Sequence, residues 1–227
     1  MKQTTIHPFF WLIIPILIII AQTGFEIFLP YDQLQAMHTE GGLIEIMQSV
    51  FLASAFLIAV AGTIRVDWKA KKLIGVWFAL AAFCTFYVSG EEISWGQHVL
   101  NWDTPAYWTA VNDQNETNLH NTSAWLDQKP RLILFIGIVV GGLIIPALRR
   151  WKPSVLPARF TPLYPANILI VAALGVALPY TAQEIAEHFF DSGLFERVSE
   201  VQELYMYYFV ALYLSDLHKR ENNKKIL

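Results

Sequence analysis

The chain has 227 residues, of which 55% are hydrophobic and only 15% charged, a balance that excludes an ordinary soluble domain of this size. Sixteen Lys and Arg against nineteen Asp and Glu leave it mildly acidic, and without a basic stripe or nucleic-acid motif a nucleic-acid partner is excluded. The single cysteine, Cys84, excludes an intrachain disulfide and a thiolate metal site; it reads as a small packing residue.

Crossing a hydrocarbon core of about 30 Å takes roughly 20 helical residues. Six stretches meet that length, at about 9–29, 42–64, 73–90, 132–148, 162–180 and 200–217. The expected fold class is therefore all-α: a polytopic membrane helix bundle with six transmembrane helices, one integral membrane domain over residues 1–227. The first apolar run, FFWLIIPILIIIA, follows a single lysine and precedes no small-x-small cleavage site, so it reads as a retained helix.

The third stretch ends in GEEISWGQH, residues 90–98. Ser89 and Glu92 have capping-box spacing, with Gly90 marking a break before a new helix. If the segment instead stays helical, Glu91, Trp95 and His98 share one face, at i, i+4 and i+7. The loop from 91 to 130 is far longer than a typical connection. In it Thr104 reads as an N-cap with Pro105 at the first helical position, and Trp102, Tyr107 and Trp108 suit a membrane boundary. An interfacial or re-entrant helical loop is expected there.

Glu116 and His120 stand four apart in that loop, and Glu184 and His188 repeat the spacing in TAQEIAEHFF. That segment follows Pro179, which should kink the fifth helix without ending it before about Phe190. One helical turn brings such pairs onto a common face, as in carboxylate–imidazole metal sites. The plainer alternative is a helix-stabilising pair worth about 0.2 to 0.5 kcal/mol. The sixth helix opens with a second capping box, Ser199 and Gln202.

Charge sorts by side. Thirteen of the sixteen Lys and Arg fall before span one, between spans two and three or four and five, or after span six, while sixteen of the nineteen acids fall at the opposite ends. Basic loops stay cytoplasmic, so both termini are expected in the cytoplasm of a bacterial inner membrane and the polar segments outside it. Glu45, Glu200 and Glu203 lie at helix N-termini, where a negative charge is favoured by about 0.3 to 1 kcal/mol. Glu26, Glu91, Glu92, Glu184 and Glu187 meet C-terminal ends and need another partner: solvent, a proton, histidine or a cation. His38 lies outside too, without a Glu one helical turn away.

These readings nominate Glu91 and Glu92 as catalytic, with Glu92 the general acid or base. His98, His120, His188, Glu116 and Glu184 are nominated as ligands of a divalent metal, zinc first, and Trp95, Gln97, Asn118 and Asn121 as substrate contacts. The block GEEISWGQ, then W-D-T-P, then N-E-T-N-L-H-N, spanning residues 90–121, resembles a group of uncharacterised polytopic bacterial membrane proteins in which a similar block follows a transmembrane helix. That resemblance implies a shared outer-face site and no particular reaction. The expected function is a metal-dependent hydrolase or transferase acting on a lipid or lipid-linked envelope substrate. Its rival is a non-enzymatic scaffold, small transporter or cation-sensing subunit.

Overall fold

The computed structural model describes residues 6–39, 41–112 and 115–223, and within these it leaves aside the side chains of His98, Val99, His120, Ala124, Leu126 and Asp127. Every regular element among the described residues is helical. A π turn, Phe9–Ile13, leads into α1 (Ile14–Phe28); α2 (Tyr31–His38), α3 (Leu43–Arg65) and α4 (Lys72–Glu92) follow. The long loop carries two short helices, α5 (Gln97–Leu100) and α6 (Ala106–Val111). Next, α7 (Ala124–Val139) runs through a second π turn, Val140–Ile144, into α8 (Ile145–Trp151), before α9 (Ile170–Phe190) and α10 (Val198–Asn223). Each π turn ends two residues before a proline, Pro15 and Pro146. A proline has no N–H to give the carbonyl four residues back, and its ring crowds that carbonyl, so the hydrogen-bond ladder widens there.

Five helices are long and apolar enough to cross a membrane: Phe9–Phe28, Tyr31–Arg65, Lys72–Glu92, Gln128–Trp151 and Asn167–Phe190. This is a helical membrane protein. The sixth expected span, within α10, has the length, 26 residues or about 39 Å, but is too polar to join the five on composition. Its position accounts for that. Residues 201–209 of α10 are all buried; nine in a row exceed two turns, so no face of the helix is left for lipid. By contrast only 17% of the Phe9–Phe28 window is buried. The most polar long helix is the axle of the bundle, and the apolar helices are its lipid-facing coat.

Close approach to the axle relies on small residues. Ala55 and Ala59 of α3 and Ala172 and Ala173 of α9 are wholly buried, as expected where helix backbones must come near one another. Gly175 lies directly under the Tyr205 ring, where any Cβ would collide with it. The α10 tyrosines then tie in the coat: Tyr205 donates to the Pro15 carbonyl, Tyr208 to that of Phe10, and Tyr213 to that of Leu163 at 2.8 Å. Each hydroxyl also satisfies its own polar end.

The two ends of the bundle differ in charge. At one end Lys71 pairs with Glu221 at 2.7 Å and Arg220 donates to the Pro162 carbonyl, gathering the basic linkers 66–71 and 152–166 around the end of α10. At the other, the Glu196 amide donates to Glu26 and Gln35 donates to Glu196.

Three local expectations change. The Ser89 capping box does not form: α4 runs unbroken to Glu92, and the Ser89 hydroxyl is buried without a partner. Thr104 does not cap α6, whose N-cap is Pro105; it donates to the Asn115 carbonyl and accepts from Gln97. Gln202 reaches the Val176 carbonyl of α9 rather than its own helix end. The extension of α9 past Pro179 to Phe190 is as expected.

Candidate functional site

The chain reverses just beyond α4. Ser94 (φ 47°), Trp95 (φ 56°) and Gly96 (φ 90°) are three successive residues in the left-handed region, where two of them lack the freedom of glycine and each costs of the order of 1 kcal/mol. The continuous helix that would have set Glu91, Trp95 and His98 on one face is therefore absent. Trp95 instead folds back along α4. Its indole N–H donates to Glu91 Oε1 at 2.9 Å, and its ring lies over Gly90, where a Cβ would come within 2.6 Å of it. Gly90 marks this crossing and not a helix break.

Hydrogen bonds offset the strained turn. Ser94 Oγ donates to Glu116 Oε2 at 2.6 Å; Asn118 Nδ2 donates to Ser94 Oγ at 2.9 Å and to the same Glu116 oxygen at 2.5 Å; Asn121 Nδ2 adds a third donor at 3.1 Å. Asn112 braces Asn118 by donating to its carbonyl and its side-chain oxygen, and accepts from the Glu116 amide. Glu91 Oε2 receives the Leu119 amide at 2.6 Å. Gln97 donates to Thr104 and accepts from the amide and hydroxyl of Thr117. Glu91, Ser94, Gln97, Asn112, Glu116 and Asn118 are all buried. Two carboxylates with neutral donors converging on them thus fold the loop down as a cap on α4. The expected substrate contacts Trp95, Gln97, Asn118 and Asn121 direct these hydrogen bonds within the cap.

Glu92 faces the other way. Tyr207 of α10, buried, donates its hydroxyl to Glu92 Oε1 at 2.7 Å. One turn earlier on the same face of α10, Glu203 is ion-paired with Arg131 of α7 at 2.5 Å; the carboxylate is buried and the arginine side chain is 33% exposed. Neighbours in sequence, Glu91 and Glu92 thus serve different assemblies: one holds the cap, the other meets the axle.

The axle carries a further cluster on its other flank. Gln48 of α3 donates to the carbonyl and carboxylate of Glu200. Gln22 of α1 lies 2.9 Å from Glu26 Oε1 and 3.1 Å from His38 Nε2. Because its amide nitrogen has two hydrogens, it can serve both, which makes Nε2 of His38 the acceptor and places the ring proton on Nδ1. That Nδ1 is buried without a hydrogen-bond partner. His38 was expected to stand alone; its company comes from helices remote in sequence, and local spacing carries no sign of it.

Of the expected metal set, the described side chains lie in two places, Glu116 in the cap and Glu184 with His188 on α9. Glu184 and His188 are exposed on α9, and no hydrogen bond among the described residues joins them to the cap. The side chains of His98 and His120 lie outside the described residues. Among those described, no group of three or more His, Cys, Asp and Glu is gathered so as to hold a metal ion.

No family model matches this chain, and no curated protein or solved structure matches it significantly.

Proposed function

We propose that the chain is a six-span protein of a bacterial inner membrane, with the basic linkers and both termini cytoplasmic, and that it acts as a hydrolase or transferase on a lipid or lipid-linked envelope substrate at the outer face. The observation that carries this reading is the group Glu92, Tyr207, Glu203 and Arg131 at the acidic end of the bundle. Ionisable residues between otherwise apolar membrane helices are expensive to keep, and by default mark function. In this reading Glu92 moves the proton as general acid or base, Tyr207 orients its carboxyl, and the partly exposed Arg131 attracts an anionic headgroup. Exposed rings of Trp95, Trp102, Tyr107 and Trp125 in and beside the cap suit the boundary at which an amphiphile would be handled. Count and orientation of spans rest on the charge asymmetry of the loops, with α10 included as a span shielded from lipid.

The test is the lipid profile of membranes from cells making the wild-type chain, Glu92→Gln or Tyr207→Phe. A phospholipid or lipid-linked species altered by the wild type and unaltered by Glu92→Gln supports the reading; identical profiles from all three end it. A resident divalent metal, zinc first, is a separable part of the proposal, carried by His98, His120 and Glu116. Stoichiometric zinc that disappears in His120→Ala supports it, and wild-type protein purified without zinc counts against it.

One observation favours a non-enzymatic reading of the cap itself. Glu91 and Glu116 already receive two and three neutral donors, as side chains that hold a shape do. In a scaffold, replacing Glu92 would leave partner capture and lipid profile unchanged.

A further inference from the structure

At the basic end, remote from the cap, a cleft of about 330 Å³ opens between α8 and the start of α9. Its walls are Leu143, Pro146, Ala147, Arg150 and Trp151 on one side and Asn167 and Ile170 on the other. The first five have the spacing i, i+3, i+4, i+7, i+8, which is one continuous stripe of a helix. The stripe begins in the π turn Val140–Ile144, a feature that often accompanies binding sites in helices.

The chemistry is graded along the stripe. Leu143, Pro146, Ala147 and Ile170 are apolar; Arg150, Trp151 and Asn167 form the polar mouth at the end of the bundle. Arg149 is engaged with the Pro165 carbonyl at 2.7 Å. Arg150 is exposed and makes no hydrogen bond or ion pair with any described residue. Trp151 is 78% exposed, as a tryptophan at a helix end is when it lies at the headgroup level of a bilayer. Across the mouth, the helix Asn167–Phe190 begins without a side-chain cap, so its first N–H groups add to the positive potential there.

We propose that this cleft binds an anionic phospholipid of the leaflet at the basic end, its phosphate held by Arg150 beside Asn167 and an acyl chain lying along Leu143, Ala147 and Ile170. Charge complementarity selects the occupant: an unpaired guanidinium at the mouth of an apolar groove matches a lipid phosphate above its chain, as basic pockets between membrane helices do. A second protein helix would have to bury that guanidinium without a partner, and a free phosphate ion would leave the apolar wall uncovered.

The test uses the full chain in phosphatidylcholine vesicles containing either brominated phosphatidylglycerol or brominated phosphatidylcholine at equal bromine content. The signal of Trp151 is the difference in quenching between wild type and Trp151→Phe. Wild type is expected to prefer the anionic lipid at Trp151 by about fivefold, the effect of one basic group near the surface. Arg150→Gln brings the preference to about one, and so does Ala147→Phe, which fills the groove without altering charge. Lys152→Gln, next to the cleft but not lining it, keeps it. Equal quenching by the two lipids in the wild type overturns the proposal. Equal losses in Arg150→Gln and Lys152→Gln also overturn it, in favour of diffuse surface charge. Displacement of the lipid by millimolar inorganic phosphate would overturn it in favour of a simple anion site.

Discussion

The cap and the axle both bury carboxylates, and they satisfy them by different means. In the cap, Glu91 and Glu116 are met by a backbone amide, an indole, a hydroxyl and two carboxamides, donors that hold a charge in place without accepting it. On the axle, Glu92 meets a tyrosine hydroxyl and Glu203 the charged guanidinium of an arginine. Donors converging on one oxygen hold it in place and rigidify the segment that carries them. A carboxylate that accepts from a phenol beside an ion pair is the arrangement on which the proposed general acid or base rests. The difference separates carboxylates that fold the loop onto α4 from carboxylates that join α4 and α7 to α10.

The largest effect on this contrast is expected from Glu116→Ala. It strands Ser94, Asn118 and Asn121, and since each hydrogen bond to a charged group is worth about 1.5 to 3 kcal/mol, the cap should lose about 3 kcal/mol or more. Amide hydrogen exchange over residues 93–119 should rise sharply while that of α10 stays slow. Unchanged exchange in the loop would mean that Glu116 does not organise it.

Glu203→Ala should do the reverse. It leaves Arg131 without its buried partner, and with the arginine partly exposed the loss is about 2 kcal/mol, read as a lower melting temperature in detergent with normal exchange in the cap. Tyr207→Phe is smaller still: one hydrogen bond, about 1 kcal/mol, with the function of the chain lost far out of proportion if Glu92 works as proposed. His188→Ala should be nearly silent, within about 0.5 kcal/mol, because the ring is exposed on α9. A large loss of metal or of stability there would restore the arrangement that its spacing to Glu184 first implied.

Much of the architecture was legible in the chain. Apolar runs of membrane length, the prolines that punctuate them and the extension of α9 to Phe190 all follow from local rules of length and helix chemistry. The candidate site was legible as composition and not as arrangement. Spacing grouped Glu91 with His98 and Glu184 with His188, on the assumption that each segment is one straight helix. The left-handed turn at Ser94–Gly96 removes the first grouping, while the second stays on one exposed face of α9. Nothing local marks Gln22 and His38, sixteen residues apart, as partners.

By itself the sequence determined that this is a helical membrane protein with one basic and one acidic end, because hydropathy and charge are summed along the chain and need no knowledge of neighbours. Which helix lies at the centre was decided only in three dimensions. A helix surrounded by protein is free of the requirement to match lipid, so α10 can be the most polar of the long helices and also the most buried. The divergence of Glu91 and Glu92 belongs to the same level, since adjacent residues on a helix point about 100° apart and only packing determines what each one meets.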